Sequence, residues 1–440
     1  MKLRIESAIY GGAGLGRSPE GEAVFVPFTL PGEVVEAKSP DGDHTAREMD
    51  LVQVLEPAAE RVAARCIHFG DCGGCQYQHA AYGAQRVIKL AILLETMERA
   101  GLRDLPEIAL HTREPWEYRN RIRLRVMMVD GALRVGYSRR GSNDFLPIVM
   151  CPIAAPVLWR AAEAMVRLVT TDAAVRTWME TVAEMELFCS GDEIRIQIAF
   201  FLSDTGVPRE RSMPRRGGAT FEEFCERVKT VAPEIVGAGT FIRRGARAVA
   251  GATWGTDGLL YEAAGAKYWV SRGGFFQVNR FLVDELVELV TIGKAGGLAW
   301  DLYAGVGLFS RRLAERFREI VAVEAGEPAA GDLQAMLAKV GARHRAVKAT
   351  TAEFLRAAVL QRERPELIVM DPPRAGLGAE VTALLARVTA AEMIYVSCDP
   401  VTLGRDLRAM VDSGYRIETM HLVDLFPQTF HLETVTVLRR

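Results

Sequence analysis

The sequence predicts an α/β protein: a doubly wound sheet over residues 271–440, preceded by a mixed α+β segment over 58–270 and a small β-barrel over 1–57. Three observations carry this. From Trp269 onward apolar strand-like runs alternate with helical patterns, the chain opens on short alternating strands, and 440 residues exceed what one ordinary core fills. Hydrophobic residues make up 49% and charged residues 25%, the composition of a globular rather than a disordered chain. No run reaches the roughly 18 apolar residues of a membrane span. Met1-Lys2-Leu3-Arg4 leads into strand alternation instead of a secretory segment, so the expected location is the cytoplasm.

In chain order, Lys2–Glu6, Ala23–Pro27 and Glu33–Glu36 alternate as barrel strands. Gly11 to Gly16 is expected to be a permissive loop, because no helix follows it to receive a phosphate. A helix is expected over Ala80–Ala100, with Ile88, Leu90, Ile92, Leu93 and Met97 among its apolar positions. Residues 110–270 mix both element types, and the charged, breaker-rich Pro208–Gly218 reads as an exposed loop. Beyond them Leu298–Leu302, Ile320–Glu324, Leu367–Met370, Met393–Ser397 and Thr434–Leu438 read as strands, and Leu308–Phe317 and Leu403–Val411 as helices.

Trp300 to Gly307 ends an apolar strand in Asp301 and then makes a Gly-x-Gly turn, Gly305-Val306-Gly307, with Glu324 at the end of the next strand. Glycines let a backbone approach a ligand closely, and a carboxylate on the second strand can accept from both ribose hydroxyls, so the pattern suits an adenosine. Ser310 replaces the third glycine of a dinucleotide fingerprint and Asp301 precedes the turn; both favour S-adenosylmethionine. Asp371-Pro372-Pro373-Arg374 puts another carboxylate at a strand's carboxyl end, where α/β ligands bind.

Ser397-Cys398-Asp399-Pro400 also follows a strand, so the thiol faces the same edge; alone, Cys398 could equally be an inert buried cysteine. Its company suggests chemistry. Carbon 5 of uracil becomes nucleophilic once carbon 6 is attacked, a thiolate suits that addition, and a base must then take the carbon 5 proton. Glu433, the carboxylate of Phe426–Glu433, is the candidate base.

Phe275-Phe276-Gln277-Val278-Asn279, Asp301 to Gly307, Asp371 to Arg374, Ser397 to Pro400 with Thr402 and Arg405-Asp406, and Phe426 to Glu433 together resemble the RNA 5-methyluridine methyltransferase family in content, order and spacing. The resemblance extends over nearly the whole chain. It implies a Rossmann-like class I methyltransferase fold, Cys398 as nucleophile, Glu433 as proton acceptor, and Gln277, Tyr303, Glu324 and Asp371 against the cofactor beside the turn residues Asp301, Gly305 and Gly307. Leu308 and Thr351 depart from polar positions of some relatives, which leaves two cofactor contacts open. Arg374 stands where adenine-N6 enzymes place an aromatic, and no cysteine lies in 371–374 as it does in RNA 5-methylcytosine enzymes.

Of the seven cysteines, an odd number that argues against a disulfide framework, Cys66, Cys72, Cys75 and Cys151 form a possible ligand set, and Cys189 and Cys225 read as packing residues. Four thiolates suit zinc or an iron-sulfur cluster equally. The run Cys72-Gly73-Gly74-Cys75-Gln76 with Gln78-His79 is similar to cluster-bearing members of the family, which implies a [4Fe-4S] centre at these four cysteines. Net charge is −2, so any attraction to nucleic acid must be local. Arg119, Arg121, Arg123 and Arg125 alternate onto one strand face, where like charges repel unless an anion covers them; RNA phosphate is the expected cover. Arg139, Arg140, Arg243, Arg244 and Arg247 extend this candidate surface, the amino-terminal barrel resembles the OB-like TRAM domain, and Phe275-Phe276 could stack a flipped base. The resemblance leans towards ribosomal over transfer RNA as substrate; a noncatalytic RNA-binding protein is the competing reading.

Overall fold

A computed structural model describes residues 1–39, 47–203, 219–244 and 247–440. The loop expected over Pro208–Gly218 lies outside the described residues, as do the side chains of Arg243, Arg244 and Arg247. Among the described residues the named strands fall into four sheets.

The first sheet contains β1 (Lys2–Ala8), β2 (Ala13–Arg17), β3 (Ala23–Pro27), β4 (Val34–Lys38) and β5 (Asp50–Glu56), in the order β3-β2-β1-β4-β5. Alternation sends Leu3, Ile5, Val24, Val26, Val35 and Ala37 into a small core of their own, giving an OB-like half-barrel. The glycine-rich stretch is not one loop: only Tyr10 to Gly12 turn, and Gly14 and Gly16 lie inside β2.

Helix α1 (Tyr82–Arg99) buries Gln85, Ile88, Lys89, Ile92, Leu93 and Met97, the repeating three-and-four spacing of a helix with one buried stripe. The short strand β6 (Ile108–His111) then crosses to the far end of the C-terminal sheet. A seven-stranded sheet follows from β7 (Arg121–Val129), β8 (Ala132–Ser138), β9 (Phe145–Pro147), β10 (Val182–Cys189), β11 (Ile196–Leu202), β12 (Ile235–Arg244) and β13 (Arg247–Gly255), in the order β13-β12-β11-β10-β7-β8-β9. Helices α2 (Pro156–Thr171), α3 (Ala173–Met179) and α4 (Phe221–Val231) contribute to its apolar core, where Ile122, Leu124 and Val126 point. A hairpin, β14 (Gly258–Ala263) and β15 (Ala266–Ser271), leads to the last sheet.

That sheet alternates strands and helices: α5 (Val283–Thr291), β16 (Gly296–Leu302), α6 (Ser310–Leu313), β17 (Phe317–Val323), α7 (Ala329–Val340), β18 (Arg345–Val347), α8 (Thr351–Gln361), β19 (Leu367–Met370), α9 (Gly378–Val388), β20 (Glu392–Ser397), α10 (Pro400–Asp412), β21 (Arg416–Val423) and β22 (Thr434–Arg439). Its order is β18-β17-β16-β19-β20-β22-β21-β6, with β18 through β20 parallel and β22 inserted antiparallel between β20 and β21. The helix expected over Leu308–Phe317 shrinks to α6, because Phe317 already pairs with Gly296 as the start of β17. The central strand β19 is buried at every residue, as a parallel strand covered on both faces requires.

One buried ion pair fastens α1 to the segment after β21. Lys89 Nζ lies 2.6 Å from Asp424 Oδ1 and donates to Phe426 O at 2.9 Å, with both side chains about 1% exposed. Lys89→Met strands the Asp424 carboxylate without its counter-charge. We expect a loss of about 3–5 kcal/mol in urea unfolding, most of it regained in the Lys89→Met/Asp424→Asn double variant.

Candidate active site

After β16 the backbone enters left-handed conformations at Tyr303 (φ 64°), Gly305 (φ 55°) and Gly307 (φ 91°). The positive φ at Gly307 strains any L side chain, so the backbone itself favours glycine there, while the atom nearest an added Cβ is the flexible end of Met336 on α7, at 2.3 Å. A Cβ on Gly305 would meet nothing within 4 Å, leaving that backbone open to a ligand. Glu324, directly after β17, accepts from Gly305 N at 2.9 Å and Gly326 N at 2.6 Å, which fixes its carboxylate beside the turn. Asp301 is fully buried and accepts from Ser310 N at 2.9 Å and Ser310 Oγ at 2.5 Å. Burial, helped by the Glu324 charge, pushes its carboxyl up to about 7. Asp301 and Gly307 therefore hold the turn from behind, whereas Tyr303, Gly305 and Glu324 line a cavity of about 770 Å³.

The same cavity is lined by Gln277, Asp371, Cys398 and Glu433. Strand pairing explains the last two. Ser397 of β20 is the register partner of Thr434 of β22, and Thr434 Oγ1 donates to Ser397 O at 3.2 Å. The next residue on one strand is Cys398 and the preceding residue on the other is Glu433, so an antiparallel ladder releases both at one edge. Gln277 Nε2 donates to Asp371 Oδ2 at 3.4 Å.

Electrostatically the cavity crowds acids together. Burial, then the nearby Asp301 carboxyl, raises Asp371; burial, then Asp371, raises Glu433 well above the carboxylate range. Burial, with the Glu433 and Asp371 charges, pushes the Cys398 thiol up to about 12, and Arg374 opposes them. A cationic ligand would favour ionisation of these groups. Glu433 Oε1 is buried without a hydrogen-bond partner.

Phe275 lines the cavity with 61% of its surface exposed. Its neighbour Phe276 is buried, with ring centroids 4.5 Å from Tyr261 and 5.9 Å from Tyr268, so the expected stacking pair reduces to Phe275. Leu308 gives the cavity an apolar wall, and Thr351 is buried and hydrogen-bonds with Tyr303. Sequence reasoning passed over His431. Arg374 Nη2 reaches His431 Nε2 at 3.2 Å, and burial and Arg374 pull the imidazole down to about 3, leaving it neutral. Position two residues before Glu433 was the available signal; the partnership with Arg374 arises only in the fold.

Known proteins match this chain along its length. A family model described as tRNA (Uracil-5-)-methyltransferase matches residues 264–440. An uncharacterized RNA methyltransferase of Streptomyces avermitilis is 32% identical, covering 99% of this chain and 97% of its own. The 23S rRNA (uracil(1939)-C(5))-methyltransferase RlmD of Chromohalobacter salexigens is 33% identical over 100% of this chain and 89% of its own. The chain belongs to the RNA uracil-C5 methyltransferase family. The fold agrees: the Pyrococcus abyssi tRNA (uracil-54, C5)-methyltransferase, solved in complex with S-adenosyl-L-homocysteine, superposes with a TM-score of 0.72 at 20% identity, covering 100% of both chains.

This RNA uracil-C5 methyltransferase family member has a second cavity of about 390 Å³, lined by Cys66, Cys72, Cys75 and Cys151 together with Arg119 and Tyr137. Tyr137 Oη contacts Cys151 Sγ at 3.8 Å, and burial raises all four thiols, Cys75 to about 12. Among the described residues no three His, Cys, Asp or Glu side chains are grouped to hold a single metal ion. Arg119 precedes β7 and faces this cavity rather than the strand surface. Arg121, Arg123 and Arg125 do alternate with buried Ile122 and Leu124. Their expected anionic cover is partly internal: Arg121 pairs with Glu186 and Arg123 with Glu184, each at 2.6 Å, both acids on β10. Arg125 donates to Asn143 O at 2.6 Å. Charge repulsion therefore gives Arg121 and Arg123 no need of phosphate.

The raised Asp371 carboxyl fixes a sign. The unfolded chain releases this proton near about 3.9, and the folded chain holds it longer, so wild-type stability falls as pH rises through the raised folded value. Asp371→Asn stays neutral throughout. It is expected to melt higher than wild type at about pH 8, with the gain vanishing towards about pH 4; a pH-independent difference in thermal melts would count against the raised carboxyl.

Proposed function

We propose that this chain transfers a methyl group from S-adenosylmethionine to carbon 5 of a uridine in ribosomal RNA, in the cytoplasm, with residues 1–57 as a TRAM-type RNA-binding barrel, 58–270 as a cluster-bearing RNA-binding segment and 271–440 as the catalytic domain. The observation that carries it is the release of Cys398 and Glu433 from one strand ladder into a cavity already lined by Gly305, Glu324 and Asp371. A cavity of about 770 Å³ has room for a nucleoside cofactor and a base together. The donor set suits that cofactor: open backbone at Gly305, a carboxylate at Glu324 for ribose hydroxyls, and buried acids that a sulfonium would favour. When bound, the cofactor supplies a methyl group on a cationic sulfur.

The chain's residues supply the rest. Cys398 gives its proton to solvent, with Arg374 favouring the thiolate, and the thiolate sulfur bonds to carbon 6 and pushes the ring's double-bond electrons towards the carbon 4 carbonyl. Carbon 5 takes the methyl group. Glu433 removes the carbon 5 proton, the carbon 5–carbon 6 double bond reforms, and the Cys398 sulfur leaves. A carboxyl whose proton affinity burial has raised is a better base than an exposed one. Gln277 holds Asp371 beside the ring, and Phe275 offers an aromatic face for an extruded base. The assignment to ribosomal RNA is supported by the full-length likeness to the Chromohalobacter enzyme.

The same reading assigns a [4Fe-4S] cluster to Cys66, Cys72, Cys75 and Cys151. What supports the cluster over zinc is the likeness of Cys72-Gly73-Gly74-Cys75-Gln76 to cluster-bearing family members, with the four cysteines lining one cavity. Its role is structural or in RNA binding, since the transfer moves no electron.

RNA carrying 5-fluorouridine should trap a covalent adduct with wild type and none with Cys398→Ala. Glu433→Gln should accumulate adduct on ordinary uridine, and nucleoside mass spectrometry should locate the missing 5-methyluridine in ribosomal RNA of cells lacking the protein. Firm RNA binding with neither adduct nor cofactor binding would replace the enzyme by an RNA-binding protein. Anaerobically purified protein should contain equal iron and sulfide with visible charge-transfer absorption, both lost in Cys75→Ser; zinc in their place would overturn the cluster.

A further inference from the structure

The turn between β1 and β2 reaches the catalytic cavity's two key loops. Ile9 N donates to Ala13 O at 2.9 Å and Gly12 N to Ile9 O at 3.2 Å, a tight turn that presents Tyr10 at its tip. Gly11 and Gly12 have φ of 109° and 92°, and a Cβ on Gly12 would lie 2.8 Å from Gln76 Cβ and 3.6 Å from Phe430 Cβ. Glycine is required there twice over, by backbone conformation and by close approach.

Tyr10 makes two contacts. Its hydroxyl donates to Asp399 Oδ2 at 3.1 Å, and its ring meets Phe430 edge-on with centroids 5.3 Å apart. Asp399 is the residue after Cys398. Its other oxygen, Oδ1, caps α10 by accepting from Val401 N at 3.0 Å and Thr402 N at 2.9 Å. Both carboxylate oxygens are thus committed, one to the helix that follows the nucleophile and one to the amino-terminal sheet. Phe430 lies three residues before Glu433 and also packs on His431, centroids 4.2 Å apart. One side chain of the half-barrel therefore touches the nucleophile loop and the base loop at once.

We propose that Tyr10 is a positioning residue for the methyl-transfer site: through Asp399 and Phe430 it holds the loops bearing Cys398 and Glu433 in one arrangement. This rests on the proposed reaction. It makes the amino-terminal half-barrel part of the active-site framework as well as a surface for RNA.

The test is Tyr10→Phe in the full-length protein, which keeps the ring and removes the hydroxyl, beside Tyr10→Ala. Three readouts are taken: the rate of Cys398 adduct formation on 5-fluorouridine RNA, RNA affinity, and the pH profile of Cys398 alkylation by iodoacetamide in the free protein. Losing a hydrogen bond to a charged acceptor should slow adduct formation about tenfold in Tyr10→Phe, with RNA affinity unchanged and the protein still fully folded at the assay temperature. With less of its charge satisfied, Asp399 should also shift the alkylation profile to higher pH. An unmoved profile with an unchanged adduct rate overturns the proposal, as does a loss of RNA affinity that accounts for the whole rate effect. Should wild type itself form no adduct, the proposed reaction fails, and the alkylation profile alone decides whether Tyr10 positions Cys398.

Discussion

The antiparallel pairing of β20 with β22 is the constraint on which the candidate chemistry depends. Cys398 and Glu433 are 35 residues apart in sequence, yet Ser397 and Thr434 share a rung, so both leave the sheet at the same edge. A parallel pairing would have put the amino end of β22, and Glu433 with it, at the opposite edge of the sheet from Cys398. A register slip of one residue would also have turned Glu433 to the wrong face.

Holding that edge in place is a task shared by Asn279 and residues of the amino-terminal half of the chain. Between β21 and β22, Asp424 and Phe426 are held by Lys89, Leu425 O by Asn279, Pro427 O by Tyr118, and Gln428 by Gln85 and the backbone of Gln76 and Tyr77. Gln428 itself has φ of 68°, a conformation that an unbraced non-glycine residue rarely keeps. Because Gln76 directly follows Cys75, the thiol-lined cavity is joined to the segment leading to Glu433 by the Gln76 N to Gln428 O hydrogen bond at 2.9 Å. The half-barrel, the thiol cavity and α1 thus converge on one loop.

The cavity's acids illustrate why such bracing is needed. Asp301, Asp371 and Glu433 are buried near one another and their carboxyls are raised, an arrangement that costs folding stability above neutral pH. Proteins tolerate such groups where function uses them, and surrounding structure supplies the compensation. Here the compensation lies in buried apolar strands, with β19 and most of β16 and β20 almost fully enclosed.

Much of this was legible in the sequence because strand-end motifs are local. Asp301 to Gly307, Asp371 to Arg374 and Ser397 to Pro400 each follow an apolar strand, and a parallel α/β sheet collects all such carboxyl ends at one edge. Helix α1 and the strands β19 and β20 were likewise readable from periodicity, and the four arginines' alternation was correct for Arg121 to Arg125. What the sequence could not reveal was pairing between distant segments. Glu184 and Glu186 neutralising Arg123 and Arg121, His431 meeting Arg374, Tyr10 reaching Asp399, and the insertion of β22 beside β20 depend on strand order and register, which no local pattern encodes. Side-chain chemistry and local periodicity determined which residues could act; long-range hydrogen bonding and burial decided which of them meet, because those free energies exist only once the chain has closed on itself.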